Sequence, residues 1–256
     1  MNSTVQVEQT GRVATVTIDR PPLNVLDIAT IQSLHQTIEK VSGEGATDIL
    51  VLRTAGERAF SAGVEVSDHT PDKIPSMLEA FHGLILLFLE IDPVSIAEVQ
   101  GPALGGGAEL ALACDLVVAA TESRFAFPEI DLACFPPVAL ATLPHRIGPQ
   151  RAAELVLLGA PFSAEEARQM GLVNRTVPRK DLSSATRALV ESLGQKSPDA
   201  LKLTARTLRS MVKKSYTQWI RDAEDVYLKQ LTELADMHEG IRAFMEKRKP
   251  RWRVSG

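Results

Sequence analysis

Apolar and polar residues alternate through VQVEQTGRVATVTIDRPP, which begins at Val5 and has Thr10-Gly11 at its centre. That period of two predicts a β-hairpin, stopped by Pro21-Pro22. A helical period takes over from roughly Asp27 to Val41. Three short apolar runs, DILVLRT, SIAEVQ and DLVVAA, then read as buried strands separated by glycine-rich turns and helical segments. The order strand, loop, helix, repeated, predicts an α/β core. From about Pro149 the pattern becomes helical almost throughout, with Pro161 and Gly171 as punctuation and Ser197-Pro198 opening a further helix. A core of residues 1–195 followed by a helical region of residues 196–256 is expected, with an approximate boundary and a single domain as the alternative.

Composition narrows the class without identifying a reaction. With 256 residues, 45% of them hydrophobic, and a formal net charge of −4, the chain has the material for a sizeable core. The opening residues lack the order of a signal peptide and no apolar run is long enough to span a bilayer, so a cytoplasmic enzyme is expected. Two cysteines, Cys114 and Cys134, are too few and wrongly spaced for a disulfide scaffold or a thiolate metal site, and are expected to be buried free thiols. The basic run Lys247-Arg248-Lys249-Pro250-Arg251 with Trp252 is short in an acidic protein, so a solvated terminal helix is preferred to a nucleic-acid surface.

The stretch LGGGAELALA, from Leu104 to Ala113, places three glycines and one carboxylate at the head of an apolar helix. The first amides of a helix lack internal partners, and glycines let a ligand come close to them. Those N–H groups, with a helix start expected near Gly106 or Gly107, can face an anionic or polarised oxygen. Helical side chains lean toward the N-terminus, which brings Glu109 near whatever the amides hold. The stretch also fits a plain helix start in which Glu109 complements the dipole and the glycines allow close packing. A phosphate loop is disfavoured, because the Gly-Lys-Ser/Thr ending and the third glycine of the dinucleotide pattern are absent.

Two further stretches supply possible companions. RAFSAGVEV follows a predicted strand, and Ala62-Gly63 is placed to turn the Val64 N–H toward a cleft; an ordinary strand-to-loop turn has the same appearance. FAFPEI sets Glu129 among apolar residues, where burial would raise its pKa toward a range useful for proton transfer. Glu129 also fits a helix-start acid, and Glu65 and Asp131 fit helix starts or salt bridges. No Gly-x-Ser-x-Gly motif is present and Ser61 has no evident histidine partner. His69 is expected to make a local loop hydrogen bond, and His82 and His145 to be structural.

In order and spacing, FSAGVEV, GPALGGGAELALACD and FAFPEI resemble the crotonase superfamily, the enoyl-CoA hydratase/isomerase family. The resemblance extends over nearly the whole chain through IDRPPLNVLD, LLGAPFSAEEARQMGLVNRTVP and AFMEKRKPRW. It implies a crotonase-type spiral of repeated ββα units with a C-terminal helical trimerisation region. It also implies an oxyanion hole made by the Val64 and Gly106 N–H groups and a water held between Glu109 and Glu129. Ala62, Phe127 and Pro137 are expected to touch substrate. Phe244 and Lys247 are expected beside CoA bound to a neighbouring subunit, with Lys247 near a phosphate, in a homotrimer or hexamer. No metal and no separate cofactor is implied, CoA being part of the substrate.

FSAGVEVSDHTPDKIPSMLEAFH and FPEIDLACFPPVALATLP are similar, within that family, to cyclohexa-1,5-diene-1-carbonyl-CoA hydratases. Phe127 and Pro137-Val138-Ala139-Leu140 stand where common short-chain hydratases usually have Gln and a glycine-rich stretch. The expected activity is therefore hydration of the cyclic diene thioester to 6-hydroxycyclohex-1-ene-1-carbonyl-CoA in anaerobic aromatic degradation. A general 2-enoyl-CoA hydratase or isomerase is the enzyme alternative, and a CoA-thioester-binding or RNA-binding relative the non-enzyme one.

Overall fold

A computed structural model describes residues 4–43 and 45–253. The hairpin forms as its alternation predicts: β1 (Val5–Thr10) pairs antiparallel with β2 (Val13–Ile18), closing at Thr10 and Val13. Ala14, Val16 and Ile18 of β2 are buried, while the residues between them are only partly covered. Helix α1 (Ile28–Gly43) buries Ile31, Leu34, Ile38 and Val41, the one-sided stripe expected of a helix lying on a sheet. Asp27 starts it by accepting the Thr30 N–H at 2.8 Å.

Strand β3 (Ile49–Thr54), helix α2 (Ile74–Leu87) and strand β4 (Val94–Val99) follow. Next come β5 (Ala103–Leu104), α3 (Gly106–Ala113), β6 (Leu116–Ala120) and β7 (Arg124–Ala126). The remainder is α4 (Pro137–Ile147), α5 (Pro149–Leu158), β8 (Phe162–Ser163), α6 (Ala164–Gln169), β9 (Arg175–Val177), α7 (Leu182–Gly194), α8 (Pro198–Lys229) and α9 (Ala235–Met245). Among the described residues the larger sheet runs β1-β2-β3-β4-β6-β9, parallel from β2 onward. The smaller sheet runs β5-β7-β8.

The stretch after Pro149 is less purely helical than its pattern predicts. It holds β8 and β9, and β9 extends the larger sheet by pairing with Val118–Ala120 of β6. Two or three residues are too few to establish a period; an existing sheet edge orders them. The expected boundary at residue 195 falls just beyond α7, and α8 then packs back on the core, its Ser197 side chain capping the helix start.

Arg209 ties α8 to that core. It is 5% exposed, donates from Nε to Asp115 at 2.8 Å and from a terminal nitrogen to the Pro93 carbonyl at 2.8 Å, and also bonds the Ile91 carbonyl. Asp115 in turn accepts from the Ser95 N–H and hydroxyl at 2.7 and 2.8 Å. One guanidinium thus joins the last long helix to the start of β4 and the entry to β6. Removing one member of such a pair leaves the other's charge uncompensated. Arg209→Met is expected to lower unfolding stability by about 3 kcal/mol, read from urea melts; a loss below about 0.5 kcal/mol, the usual range for surface changes, would show that the clamp does not hold the helix.

Candidate active site

Short backbone pairings bring the three motif stretches together. Ser61 bridges to Ala103, and Ala103-Leu104 pairs in parallel with Phe125-Ala126. The Leu104 N–H donates to the Ser61 carbonyl at 2.9 Å and the Gly105 N–H to the Ala126 carbonyl at 2.9 Å. Asn24, buried behind this junction, donates to the carbonyls of Ala55 and Ala59 at 2.9 and 3.1 Å and fixes the loop that precedes Ser61.

The three glycines answer three different demands. Gly105 has φ +50°, and a Cβ there would land on Glu129 Oε1. At Gly106 a Cβ would lie 2.8 Å from Val64 Cγ2 and 3.1 Å from Phe81 Cζ. At Gly107 it would lie 2.6 Å from the Ser61 carbonyl oxygen. Only a chain without side chains at all three positions fits between Glu129, Val64 and Ser61.

Two backbone donors, the N–H groups of Val64 and Gly106, belong to residues that line a cavity at this junction. The Leu26 N–H donates to the Gly63 carbonyl at 2.9 Å and the Glu65 N–H to the Leu26 carbonyl at 3.0 Å. This bridge turns the intervening Val64 N–H away from Leu26. The Val64 N–H has no acceptor among the described residues. Gly106 opens α3, so its N–H likewise has none. Together these amides can hold an oxygen that gains negative charge.

Glu109, 5% exposed, accepts the Ala139 N–H at 2.8 Å from the first turn of α4. Burial raises its pKa, and the Ala139 and Val138 amides pull it partly back. Glu129 stands in the tight turn Pro128–Leu132, which ends at Ala133 with φ +53°. Its pKa is raised first by burial and then by the charge of Glu109, and its Oε2 has no partner among the described residues. Two carboxyls in one apolar site cannot both ionise cheaply, so the pair retains a proton well above the ordinary carboxylate range. Gly240 of α9 backs this turn: a Cβ there would strike the Leu132 carbonyl, which lets the terminal helix press directly on it.

Both carboxylates line one cavity of about 270 Å³ together with Ala62, Val64, Gly106 and Pro137. Its other walls are mainly apolar, with Met77, Leu78, Phe81, Leu132 and Phe135. Phe127 is not brought into it. That ring is buried against Phe162, at 6.3 Å between centroids, and lines a second, smaller cavity of about 60 Å³ on the other side of Glu109. Phe244 borders the larger cavity of its own chain, whereas Lys247 is exposed and does not line it.

The remaining charged and aromatic residues sort by their contacts. His69 lines the cavity, but its Nδ1 donates to the Glu65 carbonyl at 3.0 Å and burial lowers its pKa. Glu65 caps the short turn that follows it and stands 3.8 Å from Arg20. His145 stacks on Trp219 at 3.7 Å. In the basic run, Arg248 is held by Glu239 and Glu246, and Glu239 also accepts the Arg251 N–H at 2.9 Å. Those bonds draw part of the run onto the protein's own acids. His82 and Tyr227 line the cavity and were not legible as site residues. His82 shares a helix face with Met77, Leu78 and Phe81, a stripe that reads as core, and Tyr227 arrives from α8.

Residues 8–255 match a family described as Enoyl-CoA hydratase/isomerase. The cyclohexa-1,5-dienecarbonyl-CoA hydratase of Thauera aromatica is 31% identical over 248 residues, covering 97% of this chain and 95% of its own. A carnitinyl-CoA dehydratase of Salmonella arizonae is 32% identical over 260 aligned residues, covering 99% of each. Among solved structures, an enoyl-CoA hydratase from Mycobacterium avium subsp. paratuberculosis K-10 matches with a TM-score of 0.88 at 24% identity, over 98% of this chain and 99% of that one, a likeness of fold.

Glu109→Gln removes the like charge beside Glu129, so the Glu129 titration is expected to move down toward the ordinary carboxylate range. Carbon-13 NMR of glutamate-labelled protein would follow it; an unmoved midpoint would show that the two carboxyls are not coupled.

Proposed function

The chain belongs to the enoyl-CoA hydratase/isomerase family and has its crotonase-type spiral with a C-terminal helical region, and on that premise we propose that it is a hydro-lyase acting on an α,β-unsaturated acyl-CoA. The observation that carries this reading is the buried carboxyl pair, each member raised in pKa, in one cavity with two unpaired backbone amides. In the proposed reaction the Val64 and Gly106 N–H groups hold the thioester oxygen as it becomes enolate-like. Each such donor contributes on the order of 3 kcal/mol to lowering the barrier.

The pair divides the proton work by environment. Two α4 amides favour the ionised form of Glu109, which suits it to take a proton from the attacking water. Glu129 is raised by burial and by its neighbour's charge, which suits it to carry the proton delivered to carbon. Isomerisation needs no water and has less use for two acids, so the pair favours addition or elimination of water.

The narrower part of the proposal is a cyclic substrate, cyclohexa-1,5-diene-1-carbonyl-CoA. Water adds as hydroxyl at the ring carbon beside the one bearing the thioester, and the proton enters at the far end of the conjugated diene. The flat apolar wall of Phe135, Pro136 and Pro137 supports this, as does similarity to a relative named for that substrate. Phe127, lying behind Glu109, has no part in the proposed ring contact. A second reading, hydration of an acyclic 2-enoyl-CoA, is favoured by a comparably similar relative named as a carnitinyl-CoA dehydratase. The proposal extends to CoA contact by Phe244 and Lys247 and to a trimer, single or paired; exposed Leu203, Leu208 and Met211 on α8 offer apolar surface for assembly.

Initial rates on cyclohexa-1,5-diene-1-carbonyl-CoA and crotonyl-CoA, with products identified by mass and NMR, separate the two readings. The ring substrate is expected to be preferred by at least tenfold in kcat/KM and to give a hydroxycyclohexene thioester. Preference for crotonyl-CoA would remove the ring assignment while keeping the hydratase.

A further inference from the structure

Ser61 has no part in the reaction as proposed, yet it is 0% exposed and every one of its polar groups is bonded. Its hydroxyl donates to the Asn24 carbonyl at 2.7 Å and accepts the Gly63 N–H at 3.1 Å. Neither bond can be reversed, because a carbonyl only accepts and an amide N–H only donates. The Ser61 carbonyl accepts the Leu104 N–H at 2.9 Å, and the side chain fills the space that a Cβ on Gly107 would need. Ser61 does not line the cavity, so whatever it does there it does through its neighbours.

Those neighbours are the backbone that offers both free amides. The peptide joining Gly63 to Val64 has its carbonyl bonded to the Leu26 N–H at 2.9 Å, and in a planar trans peptide the Val64 N–H points the opposite way. Gly63 has φ +95° and lies so close to the start of α3 that a Cβ on it would stand 2.8 Å from the Leu104 carbonyl oxygen and 3.5 Å from the Gly106 nitrogen. A glycine has little barrier to leaving such a conformation, and any rotation about it swings the Val64 N–H off its line. The Leu26 amide holds the peptide after Gly63; the Ser61 hydroxyl holds the peptide before it. Through Leu104 the same serine is tied to the lead-in of Gly106.

We propose that Ser61 is a positioning residue, its hydroxyl and carbonyl setting the Val64 and Gly106 amides against each other so that both reach one thioester oxygen. The inference rests on the cavity being an acyl-CoA site. Without the hydroxyl, the Asn24 carbonyl and the Gly63 N–H have no other partner among the described residues and are left unpaired in a buried junction. The peptide before Gly63 then turns toward another acceptor, and the Val64 N–H moves with it. The loss falls mainly on the transition state, where the charge on the oxygen is greatest.

The test reads the thioester carbonyl by carbon-13 NMR. Cyclohexa-1,5-diene-1-carbonyl-CoA and crotonyl-CoA, labelled at that carbon, are bound in a Glu109→Gln background that arrests turnover. Two amide donors polarise the carbonyl and move its resonance downfield of the free thioester. Adding Ser61→Ala is expected to remove most of that shift. With Glu109 intact, Ser61→Ala is expected to lower kcat roughly tenfold to a hundredfold while KM changes less than about threefold. Ser123→Ala is the control, because it removes another fully buried hydroxyl that donates to a carbonyl, that of Val99 at 3.0 Å. It is expected to cost stability and to leave the shift and kcat unchanged. An undiminished shift in Ser61→Ala, or an equal loss in Ser123→Ala, would overturn the proposal and leave Ser61 as packing. Should Ser61→Ala fail to fold, Ser61→Cys, whose thiol is a weak donor and acceptor, is expected to lose part of the shift, and a full shift there would overturn the proposal. If neither thioester shows a downfield shift with Ser61 in place, the acyl-CoA reading itself falls, and the role of Ser61 with it.

Discussion

The site depends on how closely three pieces of backbone approach one another at Gly105–Gly107. Ser61 lies against one glycine, Val64 against the next and Glu129 against the third, and a single added methyl group at any of them would enter occupied space. Main-chain bonds from Leu104 to Ser61 and from Gly105 to Ala126 hold the pieces in register. Because they sit in a packed junction, the Val64 and Gly106 amides proposed as oxyanion donors are held in place before any ligand arrives, which is what electrostatic stabilisation of a developing oxyanion requires.

A second constraint follows from the first. The helix that offers the Gly106 amide also carries Glu109 one turn on, and the strand pairing that orders Gly105 leads directly into the turn holding Glu129. The fold therefore cannot form the amide pair without also bringing the two acids to it. Burying them costs stability through desolvation and like-charge repulsion, and the clamp of Arg209 on Asp115 and the packing of α9 at Gly240 are among the contacts that offset that cost. The burial that penalises their charges also raises both carboxyls, so the pair holds a proton toward neutral pH.

Much of this arrangement was legible in the chain. The hairpin, α1, β3, β4 and β6 each carry a period strong enough to read, and the acids and glycines stand out because charge and chain freedom are conspicuous in apolar surroundings. The use of each glycine was not legible, because the atoms it avoids belong to residues up to 46 positions away, as Ser61 is from Gly107. Phe127 shows the limit on a finer scale. Its place where common short-chain hydratases have Gln implied a substrate contact, but the chain turns at Pro128 and leaves the ring packed with Phe162. His82 and Glu224 meet across 142 positions, and nothing local in α2 distinguishes that histidine from its core neighbours. Short strands β8 and β9 escaped for a different reason: they are ordered by the sheets they join.

The account stands most directly on the two acids doing chemistry rather than holding the fold. Glu109→Gln and Glu129→Gln keep shape and hydrogen-bonding capacity while removing the titratable group. Single-turnover rates with the preferred enoyl-CoA, set beside its dissociation constant, are predicted to fall by roughly a hundredfold to ten-thousandfold for each variant while binding changes less than about threefold. Retained turnover in either variant, or a loss of binding as large as the loss of rate, would contradict the assignment of that carboxyl to proton transfer.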